Sequence, residues 1–124
     1  MKIIIPLNPV TKKNSQQIFR AGSRIMIVPS KAYKTYLADC RKLVKAPPEP
    51  INRPVNVKAL YYMKTRRKVD IGNLHSGLHD VLVALGIVED DHSGIIASTD
   101  GSRVLYDKEN PRTEITITEV DYAD

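Results

Sequence analysis

Between residues 54 and 63 the chain alternates, placing Val55, Val57, Ala59, Tyr61 and Met63 on one side. A period of two belongs to a β-strand and gives it one face for a core. A basic turn at 64–68 follows, and then the period changes. Leu74, Leu78, Val81, Leu82 and Leu85 recur at helical spacing, which predicts a helix over about 72–85 closed by Gly86. A half-apolar strand leading into a half-apolar helix can bury both only by packing sheet against helix.

The remaining segments fit that plan. Residues 2–7 read as an isoleucine-rich strand closed by Pro6 and Pro9. A polar loop over 8–17 leads to a hairpin, 18–20 and 24–28, across Ala21-Gly22-Ser23. Ser30 is a suitable N-cap for a helix reaching about Lys45, with Tyr33, Leu37, Cys40 and Val44 on one face. Pro47, Pro48 and Pro50 stop it. After the acidic turn Glu89-Asp90-Asp91, residues 93–97 suggest a short helix, and 103–107 with 112–120 a closing antiparallel pair. The order β, ββ, α, β, α, ββ is that of an α+β domain with a mixed sheet and two main helices packed on it.

At 124 residues the chain is too short for a helix-wrapped barrel or for a dinucleotide domain with a partner domain. No run approaches the roughly 18 apolar residues of a membrane span, and the opening Ile3-Ile4-Ile5 falls short of a signal-peptide core. One cysteine, Cys40, excludes an internal disulfide framework and a four-cysteine zinc site, and points to a reducing cytoplasm. Its place on the apolar helix face marks it as a small buried hydrophobe.

The net charge of +5 hides a segregation. Residues 1–69 carry 16 Lys/Arg and two acids, a charge of +14, whereas residues 70–124 carry three Lys/Arg and twelve acids, a charge of −9. The basic half suits a polyanion, since each neutralised phosphate releases counterions. The acidic half suits either solvated charge or divalent cations.

The two signs meet in Arg66-Arg67-Lys68-Val69-Asp70-Ile71-Gly72-Asn73, followed by Asp80 and by Gly86-Ile87-Val88-Glu89-Asp90-Asp91. A carboxylate directly after three cations at a helix start can work beside bound phosphate. If the chain after the helix folds back, Asp70, Asp90 and Asp91 form a hard-oxygen site for Mg²⁺ or Mn²⁺, the equipment for phosphodiester hydrolysis. The bland alternative is that Asp90 and Asp91 are solvated or capping residues of a turn.

The pattern Arg66-Arg67-x-x-Asp70-x-x-Asn73-Leu74, Asp80-x-Leu82, Gly86-x-x-x-Asp90-Asp91 resembles the core signature of RusA-type Holliday junction resolvases, small bacterial and prophage endonucleases. The loop with Pro9 and Asn14, the helix with Tyr33 and Tyr36, and the closing strand 114–119 are similar too, so the likeness spans most of the chain. It implies one RusA-like domain over 1–124, acting as a homodimer that nicks four-way DNA junctions symmetrically in recombination and repair. It also implies Mg²⁺ held by aspartates, with Asp70 and Asp91 foremost and Asp90 next. The family's second aspartate is Gly72 here, and its lysine three residues after the asparagine is Ser76. Asp80 lies about 15 Å along the helix from Asp70 and is a poor replacement. His75, one turn into the helix, is a nearer auxiliary.

Two further readings stand beside this one. With Gly72 in place of a carboxylate, the protein is a junction binder that cuts poorly. Alternatively, His75 and His79, at i and i+4, hold Zn²⁺ with Asp80 or His92, although Ser76 stands where a zincin has glutamate. For DNA contact the candidates are Lys12, Lys13 and Asn14 in the first loop, Arg66, Arg67 and Lys68 in the second, and Asn73 for orienting water or phosphate. Tyr36 and Tyr62 are expected to face away from the core and to be available for stacking on unpaired bases, whereas Tyr33 and Tyr61 pack inside. Phe19 is either a wedge or a core residue.

Overall fold

The structure is a computed structural model that describes residues 1–11 and 16–121. Strand β1 (Lys2–Ile5) is followed by the hairpin β2 (Gln16–Ala21) and β3 (Arg24–Pro29), and then by helix α1 (Lys31–Leu43). Strand β4 (Val55–Met63), helix α2 (Ile71–Ala84) and strands β5 (Ile96–Ser98), β6 (Arg103–Tyr106) and β7 (Arg112–Glu119) complete the chain. The α+β class, with a mixed sheet and two helices, is as the sequence pattern predicts.

β4 is the hub. Its burial alternates as its sequence does, with Val55, Val57, Ala59 and Tyr61 inside. β7 pairs it antiparallel along one edge, from Val55↔Glu119 to Tyr62↔Arg112, and β1 pairs the far side of β7. β5 and β6 share the other edge of β4 end to end, both parallel to it. The turn between them is sewn to β4 by side chains. Asn56 Oδ1 accepts from the Asp100 N–H at 2.7 Å, and Ser102 Oγ accepts from the Ala59 N–H at 2.9 Å. Gly101, with φ at +85°, supplies the left-handed residue that this turn requires.

Two expectations are corrected here. β6 and β7 are not paired with each other: β1 and β4 occupy both edges of β7, and β4 has the free edge that β6 takes. Residues 93–97 are not a helix. A turn closed by Ile95 N–H to His92 O, 2.9 Å, delivers Ile96 into β5, where Val55 N–H donates to Ile95 O at 2.8 Å. Burial of Ile95 and Ile96 against the core outweighs the weak local helical preference.

α1 begins as expected, with Ser30 Oγ accepting from the Tyr33 N–H, and ends at Leu43. Its buried residues are Tyr36 and Cys40, with Tyr33 and Leu37 packed part-buried beside them. Tyr36 therefore faces the core, which corrects its assignment as a stacking candidate: positions 33, 36, 37 and 40 form one stripe at 3–4 spacing. Burial also pushes the Cys40 thiol up to about 11, as befits an inert hydrophobe.

Candidate active site and nucleic-acid interface

α2 is held at both ends by local chemistry. At its start Asp70 is the N-cap, its Oδ1 accepting from the Gly72 N–H at 2.7 Å and from the Asn73 N–H at 3.4 Å. Both bonds fall on Oδ1, so among the described residues Oδ2 has no hydrogen-bond partner. At its end Gly86, φ +74°, makes a Schellman turn, with Gly86 N–H to Val83 O at 3.0 Å and Ile87 N–H to Leu82 O at 2.9 Å. The chain then bridges Val88 to Ile51 before entering the acidic turn.

The apolar face of α2, Leu74, Leu78, Val81 and Leu82, is buried on the sheet, each side chain contributing about 1.5–3 kcal/mol. Beside that face, Tyr61 Oη lies 2.7 Å from His75 Nδ1. The His75 and His79 rings stack at 5.6 Å between centroids, only 7° from parallel. Burial lowers the pKa of both imidazoles, and for His79 the neighbouring His75 adds to this while Asp91 and Asp80 partly oppose it. His79 Nε2 is buried with no hydrogen-bond partner.

The acidic turn is only partly a free cluster. Asp90 Oδ1 accepts from the Asp91 N–H at 2.7 Å, so Asp90 serves the turn itself. Asp91 is exposed and within electrostatic reach of His79 on α2. Among the described residues no three His, Cys, Asp or Glu side chains make a group able to hold a metal ion. Asp70, Asp90 and Asp91 thus do not form a closed cage, and His75 and His79 gain no third donor for zinc. What remains is a pair of separately placed hard carboxylates, Asp70 and Asp91. Asp70 stands at the head of α2, and Asp91 stands in the turn after the helix, electrostatically coupled to His79. At Gly72 a Cβ would lie 3.1 Å from Asp70 Oδ1, so a side chain there would crowd the cap.

The basic stretch stands at the C-terminal end of β4. Lys64 N–H donates to Asn8 Oδ1 at 3.0 Å, tying it to the loop after β1. Lys12, Lys13 and Asn14 of that loop lie outside the described residues. Arg66, Arg67 and Lys68 are exposed, and among the described residues none has a carboxylate partner. Arg66 lies over the Tyr106 ring, 4.1 Å from its centroid. A groove of about 660 Å³ runs between this stretch and β6, lined by Arg66, Arg67, Lys68, Val104 and Tyr106 among others. The sequence reading overlooked Tyr106. The alternation of Val104 and Tyr106 was visible, but not the strand they would adjoin.

Tyr62 is part-buried, its face covered by the Arg112 guanidinium at 3.7 Å.

The sequence profile of endodeoxyribonuclease RusA matches residues 6–118 of the 124. The chain belongs to the RusA family. It is therefore an endodeoxyribonuclease, a hydrolase acting on DNA, from a family that resolves Holliday junctions, acts on branched DNA and depends on divalent metal. No curated protein matches it significantly. Among the described residues no helix is long and apolar enough to cross a membrane.

Proposed function

We propose that this RusA-family chain resolves four-way DNA junctions as a Mg²⁺-dependent homodimer, making paired symmetric nicks with Asp70 and Asp91 as its metal-holding carboxylates. One observation carries the reading: among the described residues Asp70, at the head of α2, keeps an oxygen free two residues beyond three cations without a carboxylate partner. Arg66, Arg67 and Lys68 hold backbone phosphates. The helix terminus itself does not, because Asp70 already accepts from the Gly72 and Asn73 N–H groups. Asp70 and Asp91 would hold the cation, which when bound supplies a neutral-pH nucleophile and neutralises charge at the scissile phosphate. Asn73 stands in the first turn to orient the phosphate or a water. His75, fixed by Tyr61, remains the auxiliary nearest that end of the helix. Two-fold symmetry would present one such site to each of two opposed strands. The cytoplasm, where chromosomal or prophage DNA resides, is the matching compartment.

The testing experiment is cleavage of a synthetic four-way junction beside linear duplex and a fork, with Mg²⁺, Mn²⁺ or EDTA. Paired metal-dependent nicks confined to the junction are expected. Asp70→Asn should reduce cutting by about a hundredfold or more and retain junction binding. The missing carboxylate at Gly72 and, among the described residues, the lack of a three-donor group favour one second reading, a junction binder with weakened catalysis. Tight junction binding without cutting in any metal would establish that reading instead.

A further inference from the structure

β6 has two successive outward positions on one face, Val104 and Tyr106, and each keeps 38% of its surface exposed. They pair with Tyr61 and Met63 of β4, so they lie on the sheet face that carries α2. Tyr106 is firmly placed, because the next residue, Asp107, donates its N–H to Met63 O at 2.9 Å. Its ring carries the Arg66 guanidinium, which has no carboxylate among the described residues. Arg67 and Lys68 line the same groove, whose volume of about 660 Å³ suits a ligand the size of a nucleotide. Phosphate binding alone needs only the cations and leaves the exposed tyrosine and valine unexplained. A guanidinium over an aromatic ring, with apolar wall beside it and cations at its rim, matches the face of a base with its flanking phosphates.

We propose that this groove seats one unpaired nucleotide, its base stacked on the Arg66 guanidinium that lies over Tyr106 and its phosphates on Arg67 and Lys68. The source of that nucleotide rests on the junction-nuclease reading: a base pair at a branch point lacks the continuous stacking of a duplex interior and opens at lower cost. Tyr106 thereby acts as a positioning residue through Arg66, favouring branched over linear DNA.

The test uses the full chain and 2-aminopurine, a base whose fluorescence falls on stacking. It is placed in a short thymine-flanked single strand, and an unlabelled four-way junction is titrated beside it for binding and cutting. Quenching is expected on binding, retained in Tyr106→Phe and lost in Tyr106→Ala, with strand affinity about tenfold weaker. Arg66→Lys should keep the salt dependence of binding while losing the quench, since a lysine has charge without a planar face. Quenching unchanged in Tyr106→Ala and Arg66→Lys, or absent from the wild-type single-strand complex, overturns the proposal and leaves junction cleavage standing. Tyr106-dependent quenching of the single strand, with no binding or cutting of the junction, upholds the groove and overturns the junction reading.

Discussion

Two arginines lie over two tyrosine rings at the same end of β4, and they differ in what else holds them. Arg112 covers Tyr62 at 3.7 Å and is also bonded to Asp107 at 2.9 Å and Glu114 at 2.7 Å. Arg66 covers Tyr106 at 4.1 Å with no acid among the described residues. Arg112 and Tyr106 pair with successive residues of β4, Tyr62 and Met63, so the two stacks stand on opposite faces of the sheet. On one face the charge is neutralised and the cluster closes the β6–β7 connection. On the other, shared with α2 and Asp70, the charge is left for a ligand. Stacking on an aromatic ring is common to both and says little about role; the presence or absence of carboxylates separates them.

The largest expected effect lies on the α2 face. Asp70→Asn should reduce junction cutting by about a hundredfold or more, the scale of lost metal-assisted charge stabilisation. Because asparagine caps as well as aspartate, thermal stability should hold, whereas Asp70→Ala should also cost about 0.5–2 kcal/mol in denaturant titration. A matched pair of substitutions comes next. Arg66→Ala should lower the slope of log affinity against log salt by about one while leaving the unfolding midpoint near wild type. Arg112→Ala should lower the midpoint and leave the salt slope unchanged. If the two results were exchanged, the contrast between the faces would collapse.

Acid should separate the faces by pH window in the metal-free protein. Burial holds His75 and His79 below their ordinary value of 6.5, so below that pH the unfolded chain binds more protons and stability falls. Asp107 is held below its ordinary 3.8 by the Asn110 N–H and then by Arg112, so the stability it supplies is lost only as pH falls through its lower folded value. His79→Gln should flatten the upper part of an equilibrium unfolding series and leave the lower part intact. The smallest effect is expected from Gly72→Asp. It adds a carboxylate near the helix N-terminus against crowding at 3.1 Å from Asp70 Oδ1, and should modestly lower the Mg²⁺ concentration for half-maximal cutting.

Much of the candidate site is legible in the chain. Asp70, the cations before it and the glycine stop after α2 are neighbours in sequence, and short-range bonds make the Asp70 cap and the Gly86 turn. The zinc reading was legible too, through the shared face of His75 and His79, but a third donor would have to come from elsewhere in the chain. Tyr36 shows a different failure: a 3–4 stripe is wide enough to include it, and the choice of inward face depended on where the sheet lay.

By itself the sequence determined what repeats or caps locally: the alternation of β4, the amphipathic run and both ends of α2, the charge segregation and the family motif. Hydrogen bonds and side-chain periods a few residues apart are enough for these. Only the tertiary structure decided that β6 joins β4 in place of β7, that Asp90 serves its turn while Asp91 nears His79, and that Tyr106 meets Arg66. These depend on which strand edges remain unpaired once β1 and β4 have flanked β7. That competition is settled between segments far apart in the chain, and no local pattern encodes it.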